Sequence, residues 1–94
     1  MRVYISGKIT GNKEYQKDFE DAEDRMAIEG YEVINPAKLD NILPENATHD
    51  EYMKICLQLL DMADAIYMIP GWETSKGACI EYGYAIAKDF LIID

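Results

Sequence analysis

A carboxylate stands inside an otherwise apolar run, Ala78-Cys79-Ile80-Glu81-Tyr82-Gly83-Tyr84-Ala85. At 100° per residue Glu81 falls about 60° from Ala78 and about 40° from Ala85, on the flank of the stripe they form with Tyr82. An ionised Glu among small neighbours is what a nucleophile or a sugar-hydroxyl acceptor requires, and a first-turn position in a helix favours the anion. A half-exposed carboxylate on a helix flank is the plainer reading of the same spacing, and both stay open. Ahead of Glu81, Trp72-Glu73-Thr74-Ser75-Lys76-Gly77 forms a glycine-bearing loop. A second loop, Ser6-Gly7-Lys8-Ile9-Thr10-Gly11, follows the first apolar run. Glycines there let backbone N–H groups approach an anion at the start of a following helix. The spacing matches neither G-x-G-x-x-G nor a Walker A loop, so an ordinary tight turn fits equally well.

Other side chains read in more than one way. Trp72, beside Pro70-Gly71, is a lid over the core or a stacking surface for a base. Asp64 is a helix-to-strand loop residue or a ligand contact. His49 and Asp50 form a pair at a helix N-terminus, and the acidic run Glu20, Asp21, Glu23 and Asp24 is the solvated face of a helix. Cys56 and Cys79 lie far apart without a C-x-x-C spacing, and His49 is the single histidine. That combination argues against a zinc site and does not read as a disulfide framework.

The elements that must position these groups alternate. Val3-Tyr4-Ile5 is a short strand ending at Ser6-Gly7. Tyr15, Phe19, Ala22 and Met26 recur at helical spacing, with Gly30 just beyond. Glu32-Val33-Ile34 is extended and stops at Asn35-Pro36, because the residue before proline avoids the helical region. Leu39 to Thr48 reads as a loop, and Met53, Cys56, Leu57, Leu60 and Ala63 as a helix starting near His49-Asp50. Ala65 to Ile69 is a continuous apolar run, the mark of a central strand covered on both faces. Ala78 to Lys88 reads as a third helix and Phe90 to Ile93 as the last strand. This order predicts an α/β fold: a small three-layer, Rossmann-like or flavodoxin-like domain over residues 1–94, with a four-stranded parallel sheet flanked by three helices. Ligands bind such sheets beyond the carboxyl ends of the strands, here Ser6-Gly7, Asn35-Pro36 and Pro70-Gly71-Trp72.

Composition narrows the partners. Ninety-four residues, 49% hydrophobic and 29% charged, make a globular chain, and a formal net charge of −9 repels a nucleic acid polymer. A single small anion remains acceptable, because a few oriented N–H groups can hold it. No apolar stretch is long enough to span a membrane and no apolar leader opens the chain, so a cytoplasmic protein is expected.

Several strings together resemble the nucleoside 2-deoxyribosyltransferase superfamily, and more closely an uncharacterised bacterial and phage family grouped with it. They are Val3-Tyr4-Ile5-Ser6-Gly7 through Gly11, Gly30-Tyr31-Glu32-Val33 leading to Asn35-Pro36, Ala63-Asp64-Ala65-Ile66, and Pro70-Gly71-Trp72-Glu73-x-Ser75-x-Gly77-Ala78-x-x-Glu81. The last is the most specific. The resemblance implies cleavage or transfer of the N-glycosidic bond of 2′-deoxynucleosides or their 5′-monophosphates. Glu81 would be the nucleophile of a covalent deoxyribosyl-enzyme, with Tyr4 orienting it. An unperturbed Glu, with a pKa near 4.3, is ionised at neutral pH and suits attack on the anomeric carbon. Ser6, Gly7, Gly11, Ser75 and Gly77 would hold the 5′-hydroxyl or phosphate, Trp72 would flank the base and Asp64 would contact substrate. No cofactor or metal is implied. Where those enzymes carry an acid for the departing base, this chain has Cys56, with Asp61 or Asp50 as substitutes. It also stops at Asp94, before the last strand and helix of the longer enzymes. Those enzymes complete their sites across subunits, so a homo-oligomer is expected. A nucleotide-binding module that no longer turns over is the alternative, and a scaffold without a small ligand is a third reading.

Overall fold

Side-chain alternation along two strands explains the layering of this protein. A computed structural model describes residues 1–94. Strand β1 spans Arg2–Ser6, helix α1 Tyr15–Ile28, strand β2 Glu32–Ile34, helix α2 His49–Asp61, strand β3 Ala65–Met68, helix α3 Lys76–Ala87 and strand β4 Leu91–Ile93. All strand pairings are parallel, in the order β2-β1-β3-β4, with Tyr4 beside Ile66 and Ser6 beside Met68. Successive side chains of a strand point to opposite faces. Val3, Ile5, Ala65 and Tyr67 therefore pack with Phe19, Ala22 and Met26 of α1 on one face. Tyr4, Ile66 and Met68 pack with Cys56, Leu60, Ala78 and Ala85 of α2 and α3 on the other. Three layers result, as the alternation of elements predicts.

The chain leaves β1 toward β2 on one side and returns to β3 on the other, so the order reverses between β1 and β3. The carboxyl ends of these strands, Ser6-Gly7 and Met68-Ile69, lie side by side there, with Ile69 N–H donating to the Ser6 carbonyl at 2.8 Å. Gly7 is needed at this crossing: a β-carbon on it would stand 3.0 Å from Cβ and Cδ1 of Ile69.

Three local readings change. Helix α3 starts at Lys76, earlier than Ala78, because the Ser75 hydroxyl caps it by accepting from the Ala78 N–H at 3.2 Å. The segment expected to be a plain loop opens with a 3₁₀ helix, Pro36–Asn41, that the Asn35 side chain caps through the Ala37 N–H at 2.9 Å. Glu23 is not merely solvated: it accepts from the Asn35 amide and from Lys38 Nζ, each at 3.0 Å. Burial alone would raise its pKa, but these two donors outweigh it and hold the carboxyl below its ordinary value. Helix α2 begins at His49 as expected. Its cap is Thr48, which exchanges hydrogen bonds with Glu51 in a capping box.

Candidate active site

Two strand positions and one helix position converge on a single carboxylate. Tyr4 and Ser6, two residues apart on β1, face α3, and both donate to Glu81: Tyr4 Oη to Oε2 at 2.5 Å and Ser6 Oγ to Oε1 at 2.7 Å. Glu81 is 5% exposed. The buried positions of α3 are Gly77, Ala78, Glu81 and Ala85, so Glu81 is at the centre of the inward stripe and not on its flank. The earlier helix start also moves Glu81 into the second turn, where the helix dipole gives less help. Burial therefore dominates its protonation. It pushes the carboxyl up to about 7, against the downward pull of the Tyr4 and Ser6 hydroxyls. An unperturbed, fully ionised glutamate is thus corrected to one that exchanges its proton near neutral pH. Tyr4, raised well above its ordinary value by burial and by the neighbouring carboxylate, stays protonated and serves as a donor.

Above Glu81 lies a cavity of about 60 Å³, bordered by Tyr4, Gly7, Ser75, Gly77 and Ala78 and, from α2, by His49, Tyr52, Met53 and Cys56. Ligand sites usually offer about 300–1,000 Å³. Two adjoining hollows supply the remainder. One, of about 370 Å³, is shared through Ile9, Thr10, His49 and Tyr52 and is bordered further by Asp40, Pro44 and Glu45. The other, of about 520 Å³, is lined by Lys8, Thr10, His49, Thr74, Ser75, Lys76 and Gly77. That second hollow has two lysines and no carboxylate, on a chain whose net charge is −9. Lys76 and Gly77, the first residues of α3, line it. Ala78 N–H is taken by the Ser75 hydroxyl and Cys79 N–H by the Ser75 carbonyl. The N–H groups of Lys76 and Gly77 remain as the free donors of the helix start.

The structure thus gathers Tyr4, Ser6, Gly7, Ser75, Gly77 and Glu81 at the β1/β3 switch point. Three other expected site residues lie elsewhere. Asp64 precedes β3 at the amino end of the sheet, where its Oδ2 accepts from the Arg2 N–H at 3.0 Å. At about 3.3 Å per residue, the length of the strand separates it from the cavity. Trp72 stacks on Tyr82, ring centroids 4.7 Å apart, and packs against the α2/α3 core. It covers that core together with Tyr82 and does not border the cavity. Gly11, with φ of +80°, shapes the end of its loop, and it is the neighbouring Ile9 and Thr10 that border the cavity. Asp61 is bound to Tyr84 at 2.6 Å, far along α2 from the cavity, and Asp50 does not border it.

Cys56 does reach the site, and burial pushes its thiol up to about 11, against the downward pull of the Tyr4 and Tyr52 hydroxyls and with the help of the Glu81 carboxylate. Sequence reasoning missed Tyr52, Met53 and His49 as wall residues. They fall with Cys56 at i, i+3, i+4 and i+7, a spacing that signals a helix face without saying whether the face meets core or cavity. No group of three or more metal-ligating side chains forms a metal centre, and no helix is long and apolar enough to cross a membrane.

The family model described as Domain of unknown function (DUF4406) matches residues 1–94, and the chain belongs to that family. No curated protein matches it. Among solved structures, the chain superposes with a TM-score of 0.77 on a 2-deoxyribosyltransferase from the psychrotolerant bacterium Bacillus psychrosaccharolyticus, a biocatalyst for nucleoside synthesis. The two share 19% identity over 98% of this chain and 69% of that one. The likeness is one of fold.

Proposed function

We propose that this DUF4406 member cleaves or transfers the N-glycosidic bond of 2′-deoxynucleosides or their 5′-monophosphates, with Glu81 as nucleophile. The observation that carries the reading is a buried carboxylate held by two hydroxyls, Tyr4 and Ser6, at the floor of a cavity at the sheet's switch point. The hydroxyls fix both oxygens, so the free lone pairs keep one direction of attack. Ionised Glu81 would displace the base from C1′, forming a glycosyl ester and leaving the bond's electron pair with the base. Water or a second base would then take the sugar. The lysine-lined hollow at the start of α3 suits a phosphate and favours the monophosphate over the nucleoside.

Assembly into a homo-oligomer is part of this reading. Helix α3 also carries Ile80 and Ile86 outward, each 50% exposed, and a helix apolar on all sides is one that is covered on all sides. Cys79, Gly83 and Ala87 extend this outer face, which includes Lys76 but no carboxylate, the kind through which two strongly acidic copies can meet.

One observation favours a second reading, a nucleotide-binding module without turnover: the Cys56 thiol, pushed up to about 11, is too weak an acid to help a base depart. Incubation with the common 2′-deoxynucleosides and their 5′-monophosphates, followed by chromatography for free base, separates the two. Base released by wild type and not by Glu81→Ala is the expected result. A ligand-induced rise in melting temperature with no released base would place the protein in the binding class.

A further inference from the structure

We propose that His49 is the general acid that protonates the departing base above Glu81, an assignment that rests on the glycosidic reading given above. Departure of a purine or pyrimidine as an anion is costly, and a positioned acid removes that cost. Among the groups around the cavity, Glu81 must be ionised to attack. Tyr4, Tyr52 and Cys56 are all held in their protonated forms, chiefly by burial. No other carboxyl borders it, Asp40 and Glu45 standing in the adjoining hollow. Imidazole is the side chain that gives and takes a proton near neutral pH.

Position singles out the same residue. His49 and Thr10 border the cavity and both hollows. A sugar over Glu81, with base and phosphate in the hollows, would put its glycosidic nitrogen near that junction. The imidazole Cε1 lies 3.7 Å from where a β-carbon on Gly77 would stand. Gly77 and Glu81 are four residues apart on the same face of α3, a rise of about 6 Å. His49 and Glu81 border the same small cavity, as the acid and the nucleophile of a double displacement must.

The step balances. As Glu81 bonds to C1′ and the C1′–N bond breaks, its electron pair stays on the base, and the imidazolium proton passes to a base nitrogen. Neutral His49 then accepts a proton from the water or second base that attacks the ester, which restores both groups.

The test compares wild type and His49→Gln on 2′-deoxyguanosine 5′-monophosphate and on its N7-methyl analogue, whose base already carries the positive charge and leaves unaided. His49 is exposed at the first position of α2, and circular dichroism checks that the variant folds. The expected result is a fall in kcat of about 100-fold or more on the unmodified substrate, with KM little changed, and of less than about 3-fold on the methylated one. An equal loss on both substrates, a rise in KM alone, or no loss would overturn the assignment while leaving Glu81 chemistry in place. A wild type that releases base from neither substrate would overturn the glycosidic reading and this inference together.

Discussion

At the residue scale, Glu81 is costly to keep. The native protein holds its proton more tightly than the unfolded chain, whose Glu titrates near its ordinary 4.5 while the folded one titrates near 7. The proton's contribution to stability is therefore full below the unfolded value and is lost as pH rises through about 7. At about 1.4 kcal/mol per unit, the difference amounts to about 3 kcal/mol. Glu81→Gln removes this dependence and keeps a polar partner for the Tyr4 and Ser6 hydroxyls. The variant should be more stable than wild type by an amount approaching that figure at about pH 8.5, and by clearly less at about pH 5.5. Urea unfolding at the two pH values checks it, and a gap that does not change with pH would count against the raised carboxyl. On the N7-methyl substrate, whose base needs no acid, the same shift makes release rise with pH through about 7, because only the ionised form attacks. A glutamate kept at such cost fits a group selected for chemistry over stability.

At the scale of elements, the site depends on how closely two strand ends approach. Gly7 sits where β1 leaves the sheet against Ile69 beyond β3, and a methyl group there would stand 3.0 Å from two Ile69 carbons. Overpacking of this kind costs about 1–3 kcal/mol. Gly7→Ala should lower the unfolding midpoint accordingly, and Gly7→Ala combined with Ile69→Val should recover part of the loss by removing the clashing Cδ1. A single variant as stable as wild type would show that the strand ends have slack. Ser75 acts at the same scale by starting α3 two residues early, which sets Glu81 in the second turn and brings Lys76 and Gly77 to the rim.

At the scale of the whole molecule, charge and exposed apolar surface act together. Ile80, Ile86 and Leu91 are about half exposed, and β4 leaves an unpaired sheet edge. A chain of net charge −9 self-associates with least repulsion where carboxylates are absent. Analytical ultracentrifugation should give a mass that is a multiple of 10.7 kDa, and Ile80→Glu should shift the protein to monomer while leaving its far-ultraviolet circular dichroism unchanged. A wild type that sediments as a monomer at all concentrations would remove this part of the reading.

The sequence by itself determined the order of strands and helices, the parallel three-layer architecture and the two glycine-bearing loops. Those features are local: apolar periodicity, glycine and proline stops, and cap residues act within a few positions. Only the tertiary structure decided which side chains share a site. It joined Tyr4 and Ser6 to Glu81, 75 or more positions further along the chain, and sent Asp64 and Trp72 elsewhere. It also turned a helix face that reads as core, His49 to Cys56, into the wall of a cavity. Strand pairing order and helix rotation set these distances, and so does the burial that makes Glu81 titrate near 7. All three are properties of packing between segments remote in sequence, and no spacing within one segment records them.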